Sequence, residues 1–287
     1  MKLVFSAPVK NCATNLQKNI DFIKELIKQK KFDSIQLFIL ESDSTDGTKT
    51  ILKDLNGNNF INIFYENDLH LRIPNRVNRI AYCRNYLIKK ILDYKVNFDF
   101  YIPLDLDIDL FALSNVDEFF ELVSELYQRN DNDVYFPNSK PYYYDVAALR
   151  SESWVDNDPW FQYYKFAKYI PIGKVFFRLY YVFRKQKNIS TSSKPISVKS
   201  AFGGIGIYKI NNIKLKNLSY LSDNHGFSAD HVFFNQNFSN KYIIPSWVVR
   251  APIEHIEYKI LSRKNKIKFL IKELIYDIKN LWKSNVH

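Results

Sequence analysis

Apolar positions along the first part of the chain switch back and forth between a two-residue and a three-to-four-residue spacing. Leu3 to Ala7 is a short apolar run with strand character, and Asn15 to Lys30 follows with Leu16, Ile20, Ile23, Leu26 and Ile27 on one helical face. Ile35 to Leu40 predicts a second buried strand, followed by a short helix through Leu55. Ile61 to Tyr65 predicts a third strand. Asn75 to Tyr94 then predicts a long helix with Ile80, Cys83, Leu87, Ile88 and Ile91 inward. The stretch around 98–111 supplies a fourth strand, on which Ile102, Leu104, Leu106 and Ile108 share one face and Asp105, Asp107 and Asp109 the other. A βαβαβαβ order of this kind predicts an α/β fold with a mainly parallel sheet covered by helices on both faces. Ligands of such sheets bind outside the carboxyl ends of the strands, which is where Glu41, Asp43 and Asp105 to Asp109 fall.

Beyond this point the pattern loosens. Val116 to Tyr127 has helical spacing, while Val134 to Pro137 and Tyr142 to Leu149 have strand character. Trp154 to Arg184 is crowded with aromatic residues interleaved with Lys and Arg, read as core or membrane-interface material, with Asp156 and Asp158 free to bond sugar hydroxyls. Lys185 to Ser200 is polar and predicts a loop, either a lid or a plain connection. Three of the seven glycines fall in Ala201 to Tyr208, so the backbone there approaches something closely, takes positive φ, or forms a bulge. Tyr242 to Val249 is a last strand. Leu261 to Trp282 is a basic amphipathic helix with Ile267, Leu270, Ile271, Leu274, Ile278 and Leu281 on one face, suited either to an anionic membrane or to packing on the rest of the protein. The expected division is a Rossmann-like half over 1–112, a second half over 113–257 and the C-terminal helix over 258–287.

Composition changes the picture in one respect. At 287 residues, 46% hydrophobic and 16% aromatic, the chain can bury a substantial core. The formal charge of +11 is uneven: residues 1–150 hold 19 Lys and Arg against 21 Asp and Glu, whereas residues 151–287 hold 22 against 9. The basic half admits nucleic acid, anionic lipid or a phosphorylated substrate as partner. The absence of a zinc-finger or aromatic-glycine RNA-binding signature disfavours nucleic acid. Cys12 and Cys83 have no metal-ligand spacing and fit a reducing compartment. The apolar start is too short for a secretory signal and no stretch is long enough to span a bilayer, so the expected location is cytoplasmic, with peripheral contact on the inner face of the plasma membrane.

The chemistry centres on Asp105-Leu106-Asp107. Carboxylates gathered on one side of a strand end call for a positive partner, and a hard cation such as Mg²⁺ or Mn²⁺ takes carboxylate and phosphate oxygens together. Arg84, on the preceding helix, can meet a diphosphate with two parallel donors or form an ordinary ion pair, and Arg72, Arg76 and Arg79 lie nearby in sequence. Ser44, Thr45 and Asp46 can cap the helix that follows them, as Asp230 can cap the apolar run after it.

The run Glu41-Ser42-Asp43-Ser44-Thr45-Asp46-Gly47-Thr48, the pair Arg84-Asn85 and Asp105-Leu106-Asp107, in that order, resemble the corresponding stretches of GT-A glycosyltransferases. The similarity covers roughly residues 1 to 110. It is nearest to bacterial capsule and lipopolysaccharide transferases and to the fungal capsule-associated α-1,3-mannosyltransferases. The resemblance implies a GT-A-like fold and transfer of a sugar from a nucleotide-sugar donor to an oligosaccharide or lipid-linked acceptor. It implies Mn²⁺ or Mg²⁺ on Asp105, Asp107 and a late histidine, His255. Donor contacts would come from Ser6, Pro8, Glu41, Asp43, Arg84, Asp105, Gly203 and Gly204. Asp230-His231 resembles the pair that supplies a general base in inverting enzymes, while the fungal likeness leans towards retention, so the stereochemistry stays open. Two other classes compete: an Asp-x-Asp phosphatase or phosphotransferase, with Asp105 as nucleophile, and a non-enzymatic basic module binding membrane or nucleic acid.

Overall fold

A computed structural model describes residues 1–129, 133–170, 172–210, 215–221 and 229–284. The first half forms as the spacing predicts. Strands β1 (Lys2–Val9), β2 (Ser34–Ser42), β3 (Ile61–Glu66) and β4 (Phe100–Pro103) alternate with helices α1 (Ala13–Lys28), α2 (Thr48–Leu55), α3 (Leu69–Arg72) and α4 (Arg76–Asp93). Then come α5 (Val116–Gln128), β5 (Asp133–Lys140), α6 (Pro159–Tyr169), α7 (Lys174–Tyr181), β6 (Ile196–Ser197), β7 (Ile207–Lys209), α8 (Asp230–Asn235), β8 (Asn240–Arg250), α9 (Ile253–Ile260) and α10 (Arg263–Ser284).

Among the described residues the strands make one eight-stranded sheet in the order β3-β2-β1-β4-β7-β5-β8-β6. The pairs β3/β2, β2/β1, β1/β4 and β5/β8 are parallel, whereas β7 runs antiparallel between β4 and β5 and β6 lies antiparallel on β8. The sheet therefore runs through both sides of residue 112. Period-two alternation sorts its side chains into two cores. Leu3, Phe5 and Ala7 of β1 pack with Leu16, Ile20 and Ile23 of α1, Leu52 of α2 and Phe119 and Val123 of α5. On the opposite face Val4 joins Cys83, Leu87, Ile88 and Ile91 of α4 and Phe234 of α8.

Departures from expectation have local causes. The acidic stretch is not strand beyond Pro103, so its carboxylates sit on the turn that leaves β4; Leu104, Leu106 and Leu110 are nonetheless fully buried. Tyr142 to Leu149 is not a strand. Ser139 Oγ donates to the Tyr142 carbonyl and accepts from the Tyr144 amide, and Asp145 accepts from the Ala148 amide, so side chains close a turn there. The glycine strand shrinks to Ile207–Lys209 because Gly203 and Gly204 take φ of +74° and +88°. The aromatic stretch becomes two helices, the first capped by Asp158, whose Oδ1 accepts from the Trp160 and Phe161 amides. Asp158 is thus a cap and the partner of Arg150. The polar segment after Lys185 is anchored by buried Gln186, Ile189 and Val198.

Candidate active site

Three loops converge at the carboxyl ends of β1, β2 and β4, tied together by side chains bonding backbone amides. Asn11, at φ +55°, accepts from the Thr45 amide and gives its own amide to Ser44 Oγ; Thr48 Oγ1 accepts from Cys12, and Asp46 accepts from Ala13 and Thr48. Of the three residues that the sequence allowed as caps, Asp46 bonds an amide of α2, that of Thr48, whereas Ser44 and Thr45 bond Asn11 instead. Asn15 and Asn19 of α1 reach across to the acidic turn. Asn15 donates to the Asp107 carbonyl at 2.7 Å, and Asn19 donates to Ile108 O while accepting from the Leu110 amide. Asn19 stands outside every motif of the sequence. Its signal was a polar residue inside the inward stripe between Leu16 and Ile20, where an asparagine survives only with its bonds satisfied.

Asp105 is placed by two features. Its amide donates to the Gly204 carbonyl at 2.8 Å. A Cβ on Gly204 would lie 2.3 Å from Ile108 Cδ1 and 3.1 Å from the Tyr144 hydroxyl, so only glycine lets the backbone come this close. Gly203 in turn gives its amide to Asp145 Oδ2 at 2.9 Å. Both glycines are buried and act here by positioning Asp105.

Arg84 occupies an inward position of α4 and is 2% exposed. Its Nη2 bonds Asp105 Oδ1 at 2.8 Å, and its Nε lies 3.0 Å from Asp230 Oδ2. The second contact is an ion pair without hydrogen-bond alignment. Phe202 and Tyr220 close over the guanidinium with ring centroids at 5.1 and 5.4 Å. Burial opposes its charge, but Asp230 and then Asp105 outweigh burial and hold its pKa above the ordinary range. Burial likewise raises Asp230; Arg84 pulls it back only in part. The neighbouring Asn85 brackets Tyr220, donating to its carbonyl at 2.8 Å and accepting from its amide at 2.7 Å.

Arg84 therefore bridges two carboxylates, and its Nη1 has no hydrogen-bond partner among the described residues. His231 stacks on Phe202 at 3.5 Å with neither ring nitrogen bonded among the described residues, and burial followed by Arg84 pushes its pKa well down. Its placement is that of a neutral packing ring. Residues leading into Asp230, including His225, lie outside the described residues, as does His287.

Asp107 points outward from the same turn. Desolvation and the Asp105 charge push its pKa up to about 6, with Arg76 opposing. A carboxylate strained in this way by a like neighbour is relieved by a cation, and hard oxygen donors suit Mg²⁺ or Mn²⁺. Among the described residues no three His, Cys, Asp or Glu side chains gather closely enough to hold a metal. Asp105, Asp107 and His255 thus do not stand as a ready-made set. His255 is exposed on α9 and lies against the Tyr144 ring at 5.4 Å. The two aspartates fit a cation completed by ligand oxygens.

At the end of β2, Glu41 and Asp43 part company. Asp43, at φ +57°, spends its Oδ2 on the His70 amide and Nδ1, both at 3.0 Å, and so ties down α3 rather than facing a ligand. Glu41 has no exposed surface; Oε1 accepts from the Ser44 amide at 2.8 Å, while Oε2 has no hydrogen-bond partner and only Lys49 Nζ at 3.9 Å. Ser6 is wholly buried within β1, and Pro8 sits half-buried opposite Leu40. Ser6 and Glu41 are alike in having no exposed surface and a side-chain oxygen without a hydrogen-bond partner among the described residues.

Fold and site together define an α/β protein with an acidic turn at the carboxyl ends of parallel strands. No protein-family model matches the chain, and no curated protein does. Solved structures with a similar layout include residues 1–349 of TarS from S. aureus, at 11% identity and a TM-score of 0.47, covering 99% of this chain and 74% of that one. The same protein in complex with UDP-GlcNAc matches at 11% identity and a TM-score of 0.47, over 98% of this chain and 67% of that one. Glucosyl-3-phosphoglycerate synthase from Mycobacterium tuberculosis, with Mn²⁺, UDP and phosphoglyceric acid, matches at 12% identity and 0.44, over 96% and 77%. At such identities and scores the chemistry of the site rests on the geometry above.

Proposed function

We propose that this chain is a cation-dependent glycosyltransferase that moves a sugar from a nucleotide-sugar donor to a hydroxyl of a growing cell-surface glycan or lipid-linked saccharide. The observation that carries this reading is the Asp105–Arg84–Asp230 bridge beside an outward Asp107 that makes no ion pair among the described residues. Asp105 and Asp107 would hold the cation together with the donor diphosphate, and the cation, when bound, stabilises the charge left on the nucleotide. Glu41 Oε2, a buried acceptor without a donor, would take an N–H of the nucleobase. Arg84 fixes both carboxylates and opposes the effect of burial on Asp230. In an inverting reaction Asp230 would accept the acceptor proton, and its raised pKa suits it to that task. In a retaining reaction it would only orient the acceptor. The reaction would be cytoplasmic.

The test is a panel of nucleotide sugars with Mn²⁺, read by thermal stabilisation and by slow donor hydrolysis. One donor should stabilise the protein and be hydrolysed, and Asp107→Asn should abolish the Mn²⁺-dependent part. No response from any donor, in wild type and variant alike, refutes the reading.

A further inference from the structure

Outside the site, the largest anomaly is the surface formed by α6, α7 and α10. Residues 159–187 contain eleven aromatic residues and seven Lys or Arg, and no Asp or Glu. A basic amphipathic run of this composition would ordinarily bury its rings. Some are buried or paired: Phe166 stacks on Phe177 and Tyr181, and Arg178 lies over Trp160 and Phe183. At the turn between the two helices the rings and branched chains face outward instead. Tyr169 is 76% exposed, Ile170 and Ile172 51% each, and Phe176 52%.

The tip is held in place. Asp277 of α10, 8% exposed, accepts from the amides of Gly173 and Lys174 at 3.1 and 3.0 Å, capping α7 from a helix a hundred residues away. Leu274 approaches Gly173 from the same side. The amphipathic face expected of α10 is thereby split. Leu270, Leu274 and Asp277 turn inward or half-inward, while Ile267, Ile271, Ile275 and Ile278, at i, i+4, i+8 and i+11, stay exposed on one side. Lys264, Lys268, Lys272 and Lys279 flank that stripe. Leu281 and Lys283 lie outside the described side chains. No helix among the described residues is long and apolar enough to cross a bilayer.

We propose that the α6–α7 tip, latched to α10 through Asp277, is a wedge that inserts into an anionic membrane surface, with the isoleucine stripe of α10 lying alongside it. Aromatic and branched apolar tips rimmed by Lys suit the headgroup boundary, where apolar surface leaves water and the ammonium groups meet anionic lipid. The occupant is a lipid surface and not a protein groove because the charge is of one sign across α6 and α7. This needs neither cation nor nucleotide, so it stands or falls separately from the reading of the active site.

Co-sedimentation of the full chain with vesicles of phosphatidylcholine alone, and with added phosphatidylglycerol, tests it. Binding should require the anionic lipid and survive in part at about 0.5 M salt, where screening removes most simple adsorption. Changing Ile170, Ile172 and Phe176 together to Glu should weaken binding about tenfold or more, while Asp107→Asn leaves it unchanged. An Ile172→Trp variant should have its indole fluorescence quenched by brominated lipid tails, and this readout holds even where the triple variant folds poorly. Absence of binding to anionic vesicles, unchanged binding by a folded triple variant, or unquenched fluorescence from the Ile172→Trp variant would each overturn the proposal.

Discussion

The half of the molecule built on β1 to β4 and the hairpin of α6 and α7 use the same kinds of apolar residue to opposite ends. In the first, nearly every periodic apolar position is consumed by the two cores, and the loops at the strand ends are fixed by side-chain bonds to amides or carbonyls: Asn11, Asn15, Asn19, Glu41, Asp43 and Asp46 each satisfy at least one. In the second, large apolar side chains remain in water and, although Asp158 caps α6, a single carboxylate, Asp277, fixes the tip between the two helices. Polar knitting around a site gives rigidity where charge must be placed to within a fraction of an ångström. Exposed apolar surface held by one latch gives a face with something still to meet.

The sharpest break of the first region is Arg84→Ala. It leaves Asp230 buried without its counter-ion, and stripping one partner from a buried ion pair costs about 3–5 kcal/mol. Denaturant melts should show this loss at neutral pH. The pH dependence has a definite sign. Asp230 already titrates above an ordinary carboxylate through burial, and removing Arg84 drives it higher. A carboxylate with a raised folded pKa disfavours the native state at pH above its unfolded pKa, so the variant should regain stability as pH falls towards the ordinary carboxylate range. A loss that stays constant with pH would mean that Arg84 acts through packing under Phe202 and Tyr220.

Gly204→Ala should come next, at about 3 kcal/mol, combining a positive φ with a Cβ at 2.3 Å from Ile108. Because the same glycine's carbonyl holds the Asp105 amide, Mn²⁺-dependent stabilisation should fall even at temperatures where the variant is folded. In the hairpin the matching change, Asp277→Ala, should cost only about 1–2 kcal/mol, the loss of a helix cap, while Asp277→Asn keeps an acceptor and most of the stability. Limited proteolysis should then show cleavage at the α6–α7 turn in the alanine variant before any cut in the sheet.

What the sequence made legible follows the same divide. Helices α1, α4 and α5 and strands β1 to β3 were readable because apolar period and element coincide. The gathering of Asp105, Arg84 and Asp230 was readable only as motifs, since α4, β4 and α8 meet through the sheet order, which no local pattern encodes. For Arg84 the sequence allowed a diphosphate contact or an ion pair, and the two flanking carboxylates, 21 and 146 positions away, come from elements that no local pattern places beside it. Asp43 was a candidate on equal terms with Glu41 until His70, 27 residues on, claimed it. The Tyr142 to Leu149 error arose from apolar alternation overruled by the local bonds of Ser139 and Asp145. The aromatic stretch was legible as core or membrane-interface material, but which of its residues stay exposed was not, because periodicity says which residues share a face and nothing about what covers that face.

The smallest change asks whether the polar knitting of the first region serves only the fold. Glu41→Gln preserves an oxygen for the Ser44 amide and replaces Oε2 by an amide donor of the same size. Stability should move by no more than about 1 kcal/mol, since one hydrogen bond is kept and the distant Lys49 contact is weak. If Oε2 accepts a nucleobase N–H, exchanging an acceptor for a donor there sets two donors against each other, and nucleotide affinity measured by calorimetry should drop at least about tenfold. An unchanged affinity with a lowered melting point would assign Glu41 to the loop alone, and would place base recognition elsewhere along the β2 end.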